Sequence, residues 1–219
     1  MTTSLAPSQL RVVPVADAPW DDVRAVFGTR GDPSTCWCQF FKVDAAAWKA
    51  KDHAAAFERA LCDQVDAARA RVASHERTTG PGVIAYLGSG ADASDPDVWE
   101  PVGWAAVEPR PAYPRILAGR MMPGSAEPDP GDESVWAVTC FVVRVGFRRR
   151  GVAAALLAGA VDAARRGGAR VVEAYPVDTK GEKVSSADLY HGPLSAFTAA
   201  GFEISGRPAE GRAVVRLTI

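Results

Sequence analysis

The chain has 219 residues, 47% of them hydrophobic, and carries 25 basic against 26 acidic side chains. That length supports one sizeable domain with its own core, and no linker divides it, so a single domain over residues 1–219 is expected. Near-neutral charge argues against nucleic-acid and membrane partners, and no run of about eighteen uncharged apolar residues is available to span a bilayer.

Leu10 to Val15 is brief and β-branched, which predicts a first strand. Pro19 to Phe27 reads as a short helix, with Pro at its first turn, two early acids and Gly28 at its end. Gly31 to Phe41, GDPSTCWCQFF, is turn-like and then aromatic. Asp52 to His75 is a helix whose apolar face is Phe57, Leu61, Val65, Ala68 and Val72. Val83–Leu87 and Val102–Val107 are strands joined by a polar connection. A Gly88-x-Gly90-x-x-Ala93 match in that connection is not a dinucleotide fingerprint, because Ser94, Asp95, Pro96 and Asp97 follow where a helix must begin. Pro109 to Asp132 holds six prolines and predicts a long surface loop.

Val135 to Val143 is apolar on both faces, the mark of a central strand. Val152 to Arg166 is a helix with Val152, Leu156, Gly159, Ala160 and Ala163 inward, closed by Gly167-Gly168. Arg170 to Ala174 is the next strand, and the strand–helix–strand unit implies a right-handed crossover between parallel strands. Ser185 to Ala200 reads as a helix broken near Gly192-Pro193, and Phe202–Ser205 and Ala213–Ile219 finish as antiparallel strands.

Between the central strand and its helix lies an arginine- and glycine-containing turn, VVRVGFRRRGVAAALL over Val142 to Leu157. The first N–H groups of a helix have no intrahelical partner and carry partial positive charge, so such a turn suits a diphosphate. Gly151 permits close approach of an anion, Ala153 keeps the next turn narrow, and Arg148, Arg149 and Arg150 add mobile charge.

The pattern Arg148-x-x-Gly151-x-Ala153, preceded by Val143, Val145 and Phe147, resembles the acetyl-CoA-binding motif of the GNAT N-acetyltransferase superfamily. The order of elements and the Phe197 to Phe202 stretch, FTAAGF, are similar to that family too. Cys36-Trp37-Cys38-Gln39 and Ala174-Tyr175-Pro176-Val177-Asp178 look like a bacterial subgroup of it. The resemblance implies an α/β (α+β) fold, a central mixed, mostly antiparallel sheet flanked by helices. It also implies an N-acetyltransferase that uses acetyl-CoA as co-substrate, held by Phe141, Val142, Val143, Arg148, Arg149, Arg150, Gly151, Val152, Ala153 and Ala154. Backbone at Phe141 to Val143 would pair with pantetheine, and an N–H there would polarise the thioester carbonyl.

The family's usual Glu base falls at Ala137, Val138 and Thr139, where no carboxylate stands, so Glu133 just ahead of the strand is the candidate substitute. The family's usual Tyr acid falls near Phe197 or Thr198; Tyr190 is the candidate in its place, with His191 beside it as a secondary one. Cys140, in so apolar a strand, reads as a small packed side chain rather than a nucleophile.

The four cysteines, Cys36, Cys38, Cys62 and Cys140, do not form a disulfide framework, and their spacing does not suit zinc, so reduced thiols and no metal are expected. The N-terminus shows no basic-then-apolar leader, which makes a cytoplasmic protein the expectation. The acceptor is an amine of a small molecule or peptide; a homodimer stays open. A catalytically inactive acyl-CoA-binding sensor or interaction module is the alternative, and a nucleic-acid contact by the Arg triplet is a third, thinner reading.

Overall fold

In the computed structural model of the protein, residues 9–74, 80–88, 99–182, 184–185 and 189–219 are described. The Gly90 and Ala93 positions of the rejected fingerprint, the last residue of the predicted Asp52–His75 helix and part of the predicted Ser185–Ala200 helix lie outside those residues. The strands are β1 (Leu10–Pro14), β2 (Gly82–Gly88), β3 (Trp99–Pro109), β4 (Val135–Val143), β5 (Val171–Ala174), β6 (Glu203–Ala209) and β7 (Arg212–Thr218). They form one seven-stranded sheet in the order β1-β2-β3-β4-β5-β7-β6, with β4 at its centre. Only β4 and β5 run parallel, so the sheet is mixed and mostly antiparallel. The helices are α1 (Trp20–Phe27), α2 (Pro33–Cys36), α3 (Ala45–Lys49), α4 (His53–Ala73), α5 (Pro114–Leu117), α6 (Val152–Arg166) and α7 (Leu194–Ala199). Among the described residues, no helix is long and apolar enough to cross a membrane.

Two cores follow from the pleat of the sheet. On one face Val83, Val107, Trp136, Val138 and Val172 pack under Val152, Leu156 and Ala160 of α6. On the other, Ile84, Trp104, Ala106 and Val142 pack under α1 and under Phe57, Leu61 and Val65 of α4. Val72, expected on the apolar face of α4, is 45% exposed. α6 sits close to the strands through missing side chains: a Cβ on Gly159 would lie 2.3 Å from Val12, and one on Gly167 would lie 2.2 Å from Trp136.

Two local irregularities shape the centre. β4 and β5 pair only from Val135 with Val171 to Val138 with Ala174, after which β4 continues without a strand beside it on that side. At the same point β4 bulges: Val107 pairs with Val138 and Ala106 with Cys140, which leaves Thr139 as the extra residue. The bulge resets the alternation, so that Cys140 and Val142 belong to the α1/α4 face and Phe141 and Val143 pack towards α6.

Two expectations are corrected. Among the described residues of the predicted Ser185–Ala200 helix, only Leu194–Ala199 is helical; Pro193 stands at its start, where it can begin a helix but not continue one. Gly201, at φ +87°, ends it, with the Phe202 N–H donating to the Phe197 carbonyl at 3.0 Å. The Pro109–Asp132 segment is not simply a surface loop. It contains α5 and two short 3₁₀ turns, and Arg110, Tyr113 and Ile116 are buried beneath it.

Arg110 explains why that segment folds inward. Its guanidinium donates to Ser125 Oγ at 2.9 Å and to Glu173 Oε2 at 3.2 Å, with neither charged side chain exposed. Tyr175 donates to the same carboxylate at 2.8 Å. A buried pair stripped of one member leaves an uncompensated charge that costs about 3–5 kcal/mol. Arg110→Met should therefore lower the free energy of urea unfolding by about that much, and adding Glu173→Gln should restore a large part of it. A double variant no better than the single one would show that the pair does not hold the segment.

Candidate functional site

At the carboxyl end of β4 the centre of the sheet opens, where β4 and β5 stop pairing. Beyond it, a 3₁₀ turn over Val145–Phe147 leads to the arginine triplet and then to α6. Arg149 and Gly151 both have left-handed backbone, φ +60° and +88°, and this curls the chain so that successive N–H groups face one side. Among the described residues, none of the N–H groups of residues 149–154 donates to a backbone carbonyl; the ladder of α6 starts with Ala155 N–H to the Gly151 carbonyl at 3.0 Å. A Cβ on Gly151 would meet nothing within 4 Å, so glycine is used for its φ and for the open space above it. Arg148 Nε donates to the Val143 carbonyl at 3.2 Å, and the guanidiniums of Arg144 and Arg150 lie over the Phe147 ring at 5.2 and 5.6 Å. The cradle is thus a helix N-terminus with its dipole, a curl of free donors and adjacent positive charge.

The gap left by β5 is occupied by the chain itself. Tyr190 to Leu194 runs between β4 and the continuation of β5: the Phe141 N–H donates to the Tyr190 carbonyl at 2.7 Å, and the Val177 N–H donates to the Gly192 carbonyl at 3.0 Å. The N–H of Phe141 is therefore not open, as the sequence suggested, but bonded to the segment that carries Tyr190. Gly192 at φ +78° makes this turn, and a Cβ there would press on Phe197 at 3.0 Å.

Around that point, polar side chains collect beneath an apolar wall. The Tyr190 ring lies against His191 at 4.2 Å, and His191 against Phe41 at 5.3 Å. Burial pushes the Tyr190 phenol up, Arg212 opposes the shift, and Cys140 and Cys36 add to it. His191, the secondary candidate, is only 6% exposed, and burial, reinforced by Arg212, pulls its pKa down to about 3. Its Nδ1 has no partner. The Cys38 and Cys140 thiols face each other; burial first, then Cys38, raises Cys36 to about 11, and contact with Cys140, then burial, raises Cys38, so Cys36 and Cys38 are protonated, unreactive thiols. Among the described residues, no three His, Cys, Asp or Glu side chains converge as metal ligands.

Glu133 is brought to a different place. It precedes β4, eight residues from Phe141, which at about 3.3 Å per residue is about 26 Å from the open end. There it lines a cleft of about 570 Å³ with Asp63, Gln64, Arg71, Glu108 and Trp136. The structure therefore assembles Phe141 to Val143, Arg148 to Ala154 and Tyr190 at one end of β4 and leaves Glu133 at the other. Phe197, where a Tyr was sought, is buried against Phe141 and Phe202.

One group of residues was not read in the sequence. Glu108, at the end of β3, pairs directly across from Ala137 and meets the ammonium of Lys42. Lys42 also donates to Gln64 at 2.7 Å, and Gln64 to Gln39 at 3.0 Å. The available signal was a lone carboxylate closing the apolar run VGWAAVEP.

On this mixed sheet a strand pair that runs parallel and then diverges leads into the arginine-bearing turn at the start of α6, an arrangement that suits an anion. Residues 91–191, which contain β3, β4, the cradle and α6, match the model of the acetyltransferase (GNAT) family. No curated protein matches the chain. Among solved structures, a GCN5-related N-acetyltransferase from Kribbella flavida is similar at 20% identity, covering 98% of this chain and 100% of that one, with a TM-score of 0.45. yncA from Salmonella typhimurium, with its cofactor acetyl-CoA, is similar at 13% identity over 96% and 94% of the two chains, TM-score 0.46. An N-acetyltransferase from Staphylococcus aureus Mu50 is similar at 12% identity over 95% and 98%, TM-score 0.47.

The state of His191 has a measurable consequence. Its folded pKa of about 3 lies below its ordinary 6.5, so the unfolded chain binds the proton first and stability falls as pH drops below 6.5. The loss should approach about 1.4 kcal/mol per pH unit until the folded imidazole itself protonates. Unfolding free energies of the wild type and His191→Phe, measured from pH 7.5 to 4.5, should diverge in slope below 6.5; parallel curves would contradict the burial.

Proposed function

We propose that the chain is an acetyl-CoA-dependent N-acetyltransferase in which an amine attacks the thioester directly, within a ternary complex. The observation that carries this reading is the cradle: six consecutive residues, 149–154, whose N–H groups make no backbone bond among the described residues, set at the start of α6 and at the end of a diverging central strand. Its place within the GNAT-matching segment supports acetyl-CoA as the diphosphate that fills it. The diphosphate would sit on the N–H groups of Arg150 to Ala154 with Arg148, Arg149 and Arg150 around it. Pantetheine would then run along Val143, Val142 and Phe141 in the gap. To reach that position it must displace the Tyr190 carbonyl, whereupon the thioester carbonyl inherits the Phe141 N–H. A preorganised donor of that kind is worth about 3–4 kcal/mol of transition-state stabilisation. Tyr190, whose backbone is bonded to Phe141, is the candidate acid for the departing thiolate. Burial, which keeps this phenol un-ionised, suits an acid.

The absence of a carboxylate at Ala137 and the occupied Phe141 N–H favour one alternative, an acyl-CoA-binding sensor without turnover. Calorimetry with acetyl-CoA, followed by thiol release in the presence of primary amines, separates the two. Wild-type binding with amine-dependent thiol release is the expected result; binding without release would favour the sensor, and no binding would reject both. Gly151→Glu places a carboxylate on left-handed backbone in the open space of the cradle and should abolish donor binding while α6 stays folded. Unchanged affinity in that variant would remove acetyl-CoA from this turn.

A further inference from the structure

The transferase reading leaves the acceptor's proton without a destination, since Glu133 is remote and Ala137 cannot take it. The structure supplies one on the neighbouring strand. Glu108 of β3 pairs with Ala137 of β4, and cross-strand partners point to the same face with Cβ atoms about 5 Å apart. Its carboxylate is thus beside the position where the resemblance called for a base. Tyr113, wholly buried, lies between this carboxylate and Thr139, and its hydroxyl faces both. That hydroxyl has no hydrogen-bond partner of full geometry, which is rare for a buried group. Thr139 is the extra residue of the β4 bulge, two positions before Phe141, and its backbone faces the His191 ring.

We propose that Thr139 and Tyr113 relay the acceptor's proton from the open end of β4 to the Glu108 carboxylate. The inference rests on the transferase reading above. As the ammonium N–H bond breaks, Thr139 Oγ1 takes that proton and gives its own to Tyr113 Oη, which passes its hydrogen to a Glu108 oxygen. The amine is left neutral with a free lone pair, both hydroxyls are restored, and the carboxylate becomes a carboxylic acid. Tyr113 never ionises in this hop, and burial, with Glu108 beside it, holds its phenol firmly protonated. Glu108 also borders the 570 Å³ cleft, so its proton is returned to solvent at the end of β4 opposite the cradle. Lys42 sits against the carboxylate and is itself fixed by Gln64, which keeps the acceptor oxygen in place.

Tyr113→Phe tests the relay with little risk to the fold, because it deletes an unsatisfied hydroxyl and keeps the ring. Thiol release from acetyl-CoA would be followed at pH 8 with two probes, Nα-acetyl-lysinamide and alaninamide. The ε-amine, with pKa near 10.4, is about 99% protonated there, whereas about half of an α-amine is already neutral. Tyr113→Phe should slow the ε-amine by about 100-fold and the α-amine by about threefold or less, with acetyl-CoA affinity unchanged. Glu108→Gln should show the same split, and Thr139→Ser, which keeps the hydroxyl, should retain most of the ε-amine rate. Equal loss with both probes would mark Tyr113 as structural and overturn the relay, as would an unchanged ε-amine rate. Donor binding with no thiol release from the wild type by either probe would overturn the transferase reading and the relay together, whereas turnover insensitive to Tyr113→Phe overturns the relay alone.

Discussion

The parting of β4 from β5 after Val138 and Ala174 is the constraint on which the rest of the molecule depends. Up to that point the sheet is continuous and its two faces are filled with apolar side chains. Beyond it, β4 must offer backbone N–H and C=O groups to something other than β5, because unpaired polar groups inside a protein are costly. In the protein alone, the Tyr190 to Leu194 segment meets that demand at Phe141. The same demand makes the gap a fitting bed for an extended ligand with amide groups of its own. Strand divergence, an internal stand-in and a cradle one turn further on are three consequences of one break in the ladder.

The surroundings hold that break in register. Gly159 and Gly167 let α6 lie close enough to the sheet for its N-terminus to sit at the end of β4, while the Arg110–Glu173 pair ties the proline-rich segment to β5 from the other face. The bulge at Thr139 is a small event with a large effect: it aims Cys140 and Val142 towards α1 and α4, and it brings a hydroxyl to the buried side of β4 next to Tyr113. The proposed relay then runs from Thr139 through Tyr113 to Glu108 along one face of an otherwise apolar strand. The donor and the proton would therefore leave by opposite ends of β4.

Much of this was legible from residue order alone, for identifiable reasons. β4 and α6 announce themselves because both are long, periodic and bounded by Gly or charged residues, and the cradle between them depends on backbone geometry that Gly151 and a helix start encode locally. The Schellman end of α7 at Gly201 is local in the same way. What stayed hidden depends on register and on distant partners. Arg110 looked like a loop charge until Glu173, sixty-three positions later, was placed beside it. Glu108 could not be matched to Ala137 without knowing the bulge, and the burial of His191 was not legible because it comes from contacts such as Phe41 and Tyr190 rather than from any periodic face. Glu133 was a reasonable choice by sequence proximity and a remote one in space, because an extended strand carries each residue about 3.3 Å further away.

Amide hydrogen exchange resolved to single residues, with and without acetyl-CoA, tests the central claim most directly. In the free protein the Phe141 amide should be protected by Tyr190, while those of residues 149–154 exchange rapidly. Saturating acetyl-CoA should slow exchange at 149–154 and quicken it at Leu194, whose N–H donates to the Val177 carbonyl across the gap. Protection confined to other parts of the chain, or a cradle whose amides do not respond to the ligand, would contradict the account.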